Sequence, residues 1–484
     1  MNEKETVIIN AALPYSEFPS LHLGHIYGNF LLSDISARTF RKQNYNTIFV
    51  SGTDDNGLAL NIQAKKQNTS VNELLKFNTK SIKEQLKNFD ISFDVFKSTS
   101  NNQEHDKFVQ ERFLELTTKE QETEISMCSY CELQLAQKTI IFFCKKCNEN
   151  IKLEYLTKHN EKNLNMFCSI CKNSILKTQS REFFLKCTGT NYYELISNTK
   201  INKSANNILK EIEQKKQNID CWKLISRNSI SGINIPNTNK TFYVWFDAIL
   251  SYASFLNIPL QKAKNIYFMG KDNVFFHTFF FAQVLPKERW PNSIYSRNWL
   301  ITEQGKFSKS ENNGIFLRDV NKKQTSILRI FLFQLNSEDS DVKFNMESLK
   351  EYEKNVFINK ILNLFQRIHK LLIKKGLLIF QYDFNNEICD IFCDFVIKQD
   401  FKLSYGFFIN QVEEANYLFN KEKMWNFTQT KDFFDILNRL LNIFSIISIL
   451  TPEIINNFST FFIFNQKEIT ILDNSNILYT QQFV

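Results

Sequence analysis

Two histidines, His22 and His25, flank Leu23 and Gly24 in the stretch TVIINAALPYSEFPSLHLGH that fills residues 6–25. A short apolar run passes through a polar turn into a helical pattern here. Imidazoles in that setting can meet a nucleotide closely, because glycine admits a ligand to the backbone and a helix start offers free N–H groups to phosphate. The same residues would also serve as a surface turn residue and a satisfied core imidazole, and no GxGxxG or GxxxxGK[ST] accompanies them. A second polar island, Glu303-Gln304-Gly305-Lys306-Phe307-Ser308-Lys309-Ser310, sets two lysines on a glycine-flanked loop that can swing charge onto phosphates. An ordinary solvated Lys/Ser turn has the same composition. Between the islands, Asp54 follows the apolar run Thr47–Val50, where a carboxylate can bind an ammonium group or a ribose, or simply cap a helix.

Six of the ten cysteines form three pairs, Cys128/Cys131, Cys144/Cys147 and Cys168/Cys171, each with CxxC spacing. One such pair could be a redox motif. Three in succession point to metal, with zinc favoured, since two pairs make a closed tetrahedral thiolate site with no open position for substrate. Its role is then structural. One pair is left over; Cys187 or His159 could complete a second site, or the pair is vestigial.

The elements that must hold these groups alternate. Short apolar runs at 7–9, 47–50, 94–96 and 266–269 read as strands, and helical patterns at 26–40, 58–66, 71–89, 103–117 and 273–285 follow them. Residues 191–217 read as helical and polar, and Thr241 to Phe255 as a strand leading into a helix. Beyond about 325 the chain is almost wholly helical, with long stretches at 348–373, 402–420, 430–447 and 451–458 and a polar, β-like tail over 465–484. Asn363 and Arg367 fall on one helix face, and Trp425 among lysines could stack an unpaired base, although a core role for Trp425 and a surface role for Arg367 are the commoner readings of such residues.

The chain has 484 residues, room for two to four domains, and a net charge of +8 that is compatible with a polyanionic partner without demanding one. It shows no apolar run long enough to span a membrane and no secretory leader pattern, and its clustered cysteines suit a reducing compartment. A cytoplasmic location is expected.

Taken together, the islands resemble the class I aminoacyl-tRNA synthetases, and within them the methionyl-tRNA synthetase family. His22-Leu23-Gly24-His25 is similar to the HIGH signature and Lys306-Phe307-Ser308-Lys309-Ser310 to the KMSKS loop; Ala12-Leu13-Pro14-Tyr15, Gly52-Thr53-Asp54, Tyr243-Val244-Trp245-Phe246-Asp247-Ala248 and Gly270-Lys271-Asp272 with Phe276-His277 narrow the resemblance to methionine. It implies an α/β fold: a Rossmann-like catalytic domain (1–117 and 236–325) split by a zinc-knuckle connective insertion (118–235), then an α-helical anticodon-binding domain (326–464) and a tail (465–484). It implies a methionine site of Leu13, Tyr15, Trp245, Ala248, Tyr252 and His277, with Asp54 on the α-ammonium. His22, Gly24, His25, Arg227, Asp272 and Lys309 would bind ATP, and His22, His25, Lys306 and Lys309 would carry catalysis. Asn363, Arg367 and Trp425 would read the anticodon. Structural Zn2+ would sit on Cys144, Cys147, Cys168 and Cys171, with Cys128 and Cys131 a further pair, and Mg2+ would arrive with ATP.

The implied partners are ATP, L-methionine and tRNA(Met), including the initiator. A monomer is expected because the dimerising C-terminal appendage of some relatives is missing. Departures from the family pattern are Ser16-Glu17-Phe18-Pro19 after Tyr15, Phe307 for methionine, Asn228 and Asn298, and Glu311-Asn312 behind the lysine loop, which removes a positive charge near the pyrophosphate. The rival readings are another class I synthetase and a non-catalytic, zinc-stabilised RNA-binding protein.

Overall fold

The computed structural model describes residues 4–131, 133–135, 139–151, 156, 161–214, 219–229, 231–256, 263–303, 305–307, 314–374, 376, 379–381, 385–421, 423, 431–454, 462–464 and 468–471. His159, Lys309 and Trp425 lie outside the described residues, as does most of the tail from 472 onward. Backbone alone is described at Lys306.

Six parallel strands form the central sheet: β1 (Thr6–Ala11), β2 (Asn46–Thr53), β3 (Val95–Ser98), β4 (Lys200–Ile201), β5 (Ala263–Gly270) and β6 (Ser293–Arg297), in the spatial order β4-β6-β5-β1-β2-β3. Val7, Ile8 and Ile9 of β1 have no exposed surface, as expected for a central parallel strand covered on both faces. From β1 the chain winds outward to β2 and β3, and from β5 it winds the other way to β6. The strand order therefore reverses between β1 and β5, and a crevice opens beyond their carboxyl ends, where ligands bind in such sheets.

Local sequence explains much of the framework. The helix Val71–Asn88 starts in a reciprocal capping box, Ser70 accepting from Glu73 N while the Glu73 carboxylate accepts from Ser70 N. It then ties down the loop before His22: Asn78 Nδ2 donates to Ser16 O (2.7 Å), and Gln85 bonds both Pro19 O and Leu21 N.

The segment expected as the insertion is built on two long antiparallel strands, Thr118–Cys128 and Leu176–Cys187, with Cys221–Leu224 along the far edge. A smaller sheet joins Glu149–Ile151, Ile140–Cys144 and Leu164–Cys168. The segment 118–235 does not stay outside the catalytic sheet, however. The helical reading of 191–217 breaks into Gly189–Ser197 and Lys203–Gln214, and between them β4 pairs with β6 at the sheet edge. Two residues are too few to show a period, so only tertiary pairing reveals that strand.

The C-terminal third packs the helices Lys322–Gln334, Met346–Tyr352, Asn363–Lys374, Glu387–Ile397, Phe401–Lys421 and Lys431–Leu450. The run expected at 348–373 is helical throughout, with a π-helical stretch at Glu353–Leu362. Within the expected β-like tail of 465–484, Glu468–Ile471 is a strand; it forms a small sheet with Ile379–Gln381 and with Phe462–Phe464, which falls in the segment expected to be helical. One apolar core runs from Ile35 and Phe89 of the sheet domain to Ile443 and Ile447 of the bundle. At its centre Arg329, fully buried, donates to Asp34 Oδ2 (2.6 Å), Phe89 O and Leu450 O. Burial alone would raise the Asp34 carboxyl; Arg329 and Arg38 override it and hold the group below its ordinary value. Among the described residues no helix is long and apolar enough to cross a membrane.

Candidate active site

The crevice between β1 and β5 is a cleft of about 580 Å3, and its walls include Leu13, Tyr15, His22, Gly24, His25, Asp54, Trp245, Ala248, Tyr252, Asp272, His277 and Phe307. Residues far apart in the chain, from Leu13 to Phe307, thus share one cavity.

At one rim, His22 precedes the helical turn Leu23–His25. His25 Nδ1 accepts from His22 N (3.3 Å) and lies 3.1 Å from His22 Nδ1, with the two rings 3.9 Å apart. Gly24 leaves room for this arrangement, since a Cβ would stand 2.8 Å from His22 Nδ1 and the ring would have to move. The second island comes to the first. Phe307 packs its ring 5.6 Å from that of His22, and the chain after the lysine loop bonds to the signature through Leu23 N to Ile315 O (2.9 Å) and Leu317 N to Leu21 O (2.8 Å). Phe307 is therefore a packing residue, a role its apolar ring fills as the methionine of the usual pattern would.

The opposite end is an aromatic box. Trp245, in the first turn of the helix Val244–Ser254, stacks on Phe276 with ring centres 3.6 Å apart and meets Tyr15 edge-on at 6.2 Å. Tyr252 O–H donates to His277 Nε2 (2.9 Å), while His277 Nδ1–H donates to Asn273 O (2.9 Å). Those two bonds fix one neutral tautomer, and burial pushes the imidazole down to about 4. Asp54 is fixed by backbone pairing with Tyr15, Asp54 N to Pro14 O (3.0 Å) and Ser16 N to Asp54 O (3.2 Å). Asp272 receives a long bond from Trp299 Nε1 (3.5 Å).

Sequence reasoning missed several supports. Asn29 Nδ2 donates to Ala12 O (2.7 Å), holding the end of β1 open. Behind the Asp54 loop, Asn56 Nδ2 donates to the buried Asp247 (2.6 Å), whose carboxyl burial pushes up to about 8; His105 lies 4.0 Å away, and burial holds its imidazole down at about 3. Asn and Asp in a helix-start or loop segment carry no signal for such roles. Phe276 belongs to the Phe276-His277 motif, but the sequence carries no signal that its ring stacks on Trp245.

Arg227 is not among the residues of the large cleft. It lines a second cavity of about 180 Å3, between the Asp54 loop and the insertion, where its guanidinium lies 4.3 Å over the Tyr243 ring. Asn363 is exposed at the head of its helix, and Arg367, one turn on, lies 4.2 Å over Phe419 and bonds Asn420.

The metal cluster differs from the expected pairing. Cys128, Cys131, Cys168 and Cys171 gather with all sulfurs within 4.8 Å, including 3.4 Å for Cys128 to Cys171 and 3.9 Å for Cys131 to Cys168. Tetrahedral zinc–thiolate geometry calls for sulfurs about 3.8 Å apart, so this donor set fits such an ion. Cys144 and Cys147 do not join it, and the register gives the reason. Ile140–Cys144 runs antiparallel to Leu164–Cys168 with Cys144 opposite Leu164 and Ile140 opposite Cys168, so Cys144 sits about 13 Å along the strands from Cys168.

The family model for class I (M) tRNA synthetases matches residues 7–369. The chain is 30% identical over 397 residues to a methionine–tRNA ligase of Borreliella burgdorferi (strain ZS7), covering 75% of this chain and 54% of that one. To a probable cytoplasmic methionine–tRNA ligase of Vairimorpha ceranae it is 30% identical over 421 residues, covering 76% and 73%. The chain thus spans about half the length of the first of these relatives. A crystal structure of Mycobacterium tuberculosis methionyl-tRNA synthetase bound by methionyl-adenylate has a similar fold, with a TM-score of 0.73 at 16% identity over 94% of each chain. With a family model covering the sheet domain, the insertion and the first bundle helices, the chain belongs to the class I tRNA synthetases of the M group.

Proposed function

We propose that this chain is a methionine–tRNA ligase: it condenses L-methionine with ATP to methionyl-adenylate and pyrophosphate, then transfers methionine to the 3′ end of tRNA(Met), the initiator included. The observation that carries this reading is the meeting of the two islands, Phe307 against His22 and residues 315–317 paired to 21–23, beside an aromatic pocket ending in a neutral histidine.

In the first step a methionine carboxylate oxygen attacks the α-phosphorus of ATP in line, and pyrophosphate leaves. No protein nucleophile is needed; the chain supplies position and charge. Asp54 takes the α-ammonium, and Leu13, Tyr15, Trp245, Ala248, Tyr252 and His277 enclose the thioether. A polarisable sulfur suits aromatic walls, and a neutral imidazole adds no charge to that apolar end. His22, Gly24, His25 and Asp272 hold the nucleotide, Lys306 and Lys309 stabilise the pyrophosphate, and Mg2+ arrives with ATP. Arg227 acts from the adjoining cavity rather than from the ATP cleft itself.

Zn2+ on Cys128, Cys131, Cys168 and Cys171 supplies folding energy to an insertion whose own core is small. Asn363, Arg367 and Trp425 meet the anticodon from the helical domain. The protein acts as a cytoplasmic monomer. Exchange of labelled pyrophosphate into ATP, tried amino acid by amino acid, tests the proposal: methionine alone should support it, and exchange driven by another amino acid, or none, would overturn it.

A further inference from the structure

The amino-acid site is assembled from two separate segments, and we infer that Asn56 and Asp247 are positioning residues whose buried hydrogen bond fixes the distance between them. This inference rests on the ligase reading, in which Asp54 takes the α-ammonium of methionine and Trp245, Ala248 and Tyr252 enclose its thioether.

Three consecutive residues after β2 are anchored in different directions. Asp54 lines the large cleft. Asp55 is buried, and its Oδ2 accepts from Thr53 Oγ1 (3.0 Å), Thr99 N (3.1 Å) and Ser98 Oγ, which fastens the loop to the end of β3. Asn56 reaches across to the pocket. Its Nδ2 donates to Asp247 Oδ2 (2.6 Å) and, at 3.3 Å, to Thr99 O, while its Oδ1 accepts from Ser100 Oγ. The amide is thus oriented by the segment after β3 before it meets its partner. Asp247 stands in the first turn of the helix Val244–Ser254, between Trp245 and Ala248, with Tyr252 further along. At the far end of that helix Ser254 Oγ lies 2.7 Å from His105 Nδ1, so both ends are braced.

A bound methionine must satisfy both segments at once. Its ammonium and its thioether are joined by a chain of fixed bond lengths, so moving one segment by about 1 Å forfeits one contact or the other. The Asn56–Asp247 bond joins the segments where water does not compete, since both side chains are buried. It also suits the neighbourhood of a carboxylate that must attract an ammonium group. Burial pushes the Asp247 carboxyl up to about 8, so near neutrality it keeps its proton and adds no negative charge to rival that of Asp54. What the position needs is an acceptor oxygen, which a neutral amide would supply equally well.

The full-chain variants Asp247→Ala, Asn56→Ala and Asp247→Asn would be assayed for methionine-dependent pyrophosphate exchange. γ-Methylthiobutyrate, which is methionine without its amino group, would serve as a competitive inhibitor. Each alanine variant should raise the KM for methionine about tenfold, as expected for one lost buried hydrogen bond, with the KM for ATP unchanged. The Ki of the desamino acid should stay at the parental value, because that ligand makes no use of Asp54. Asp247→Asn should restore the parental KM. A Ki that rises together with the KM would mean that the two residues merely hold up the pocket, and would overturn the inference. So would a parental KM in both alanine variants, or an Asp247→Asn variant no better than Asp247→Ala. Should Asp247→Ala fail to fold, Asn56→Ala decides by the same readouts; failure of both to fold would assign the bond to stability alone and overturn the inference. A parent chain without methionine-dependent exchange would instead remove the ligase reading.

Discussion

The two ends of the large cleft are built on opposite principles. The aromatic end is closed before any ligand enters: Trp245 lies on Phe276, and Tyr252 and His277 satisfy each other deep in the core. The histidine rim is joined from two islands: the His22 and His25 rings lie against each other, Phe307 packs on His22, and two backbone bonds tie residues 315–317 to 21–23. A finished shape selects by fit, whereas positive charge at a rim acts when negative charge develops before it. The pocket should therefore govern which amino acid binds, and the rim how fast it reacts.

The strongest way to break that contrast is Lys309→Ala. Removing a donor to the transition state should lower exchange by about 10²–10³-fold with methionine affinity unchanged; a raised KM for methionine with intact kcat would show that rim and pocket are not separate. Next comes Tyr252→Phe, which strips the hydroxyl that donates to His277 Nε2. An unmet buried acceptor costs about 1–3 kcal/mol, so the KM for methionine should rise about tenfold while the KM for ATP holds, as steady-state exchange kinetics would record.

Removing the metal acts outside the cleft. Chelation should unfold the insertion cooperatively, because three buried thiols and a half-buried one cannot replace a tetrahedral ion. The released ion count should be abolished by Cys168→Ser, while Cys144→Ser should leave the four-sulfur site loaded.

The smallest effect concerns the support behind the pocket. Asp247 binds its proton more tightly in the folded state, with a value near 8 against an ordinary 3.8. The folded state thus holds more protons than the unfolded chain between these values, and stability falls as pH rises. His105 and His277, held down at about 3 and 4, act in the opposite sense, but only below about 6.5. Between pH 6.5 and 8, thermal melts should therefore show a decline that Asp247→Asn flattens.

Much of the fold was legible. β1, β2 and β5 announce themselves as apolar runs, the Ser70/Glu73 box marks a helix start, and the C-terminal helices show their period. The candidate site was legible as a set of residue types, and the cleft brings His22, Gly24, His25, Asp54, Trp245, Ala248, Tyr252, Asp272 and His277 into one cavity. Arg227 was legible as a cation, but not as the wall of a second cavity. β4 is too short to betray itself.

The amino-acid order by itself determined what depends on neighbours: strand and helix periods, caps, the CxxC turns and the glycine that lets two imidazoles close up. Only the tertiary structure decided which cysteine pairs meet, which tautomer His277 adopts, and that Phe307 rests on His22. Those outcomes hang on register and packing between segments far apart in the chain. Sequence spacing carries no measure of such distances, because one step of strand register moves a side chain to the opposite face and four steps carry it about 13 Å away.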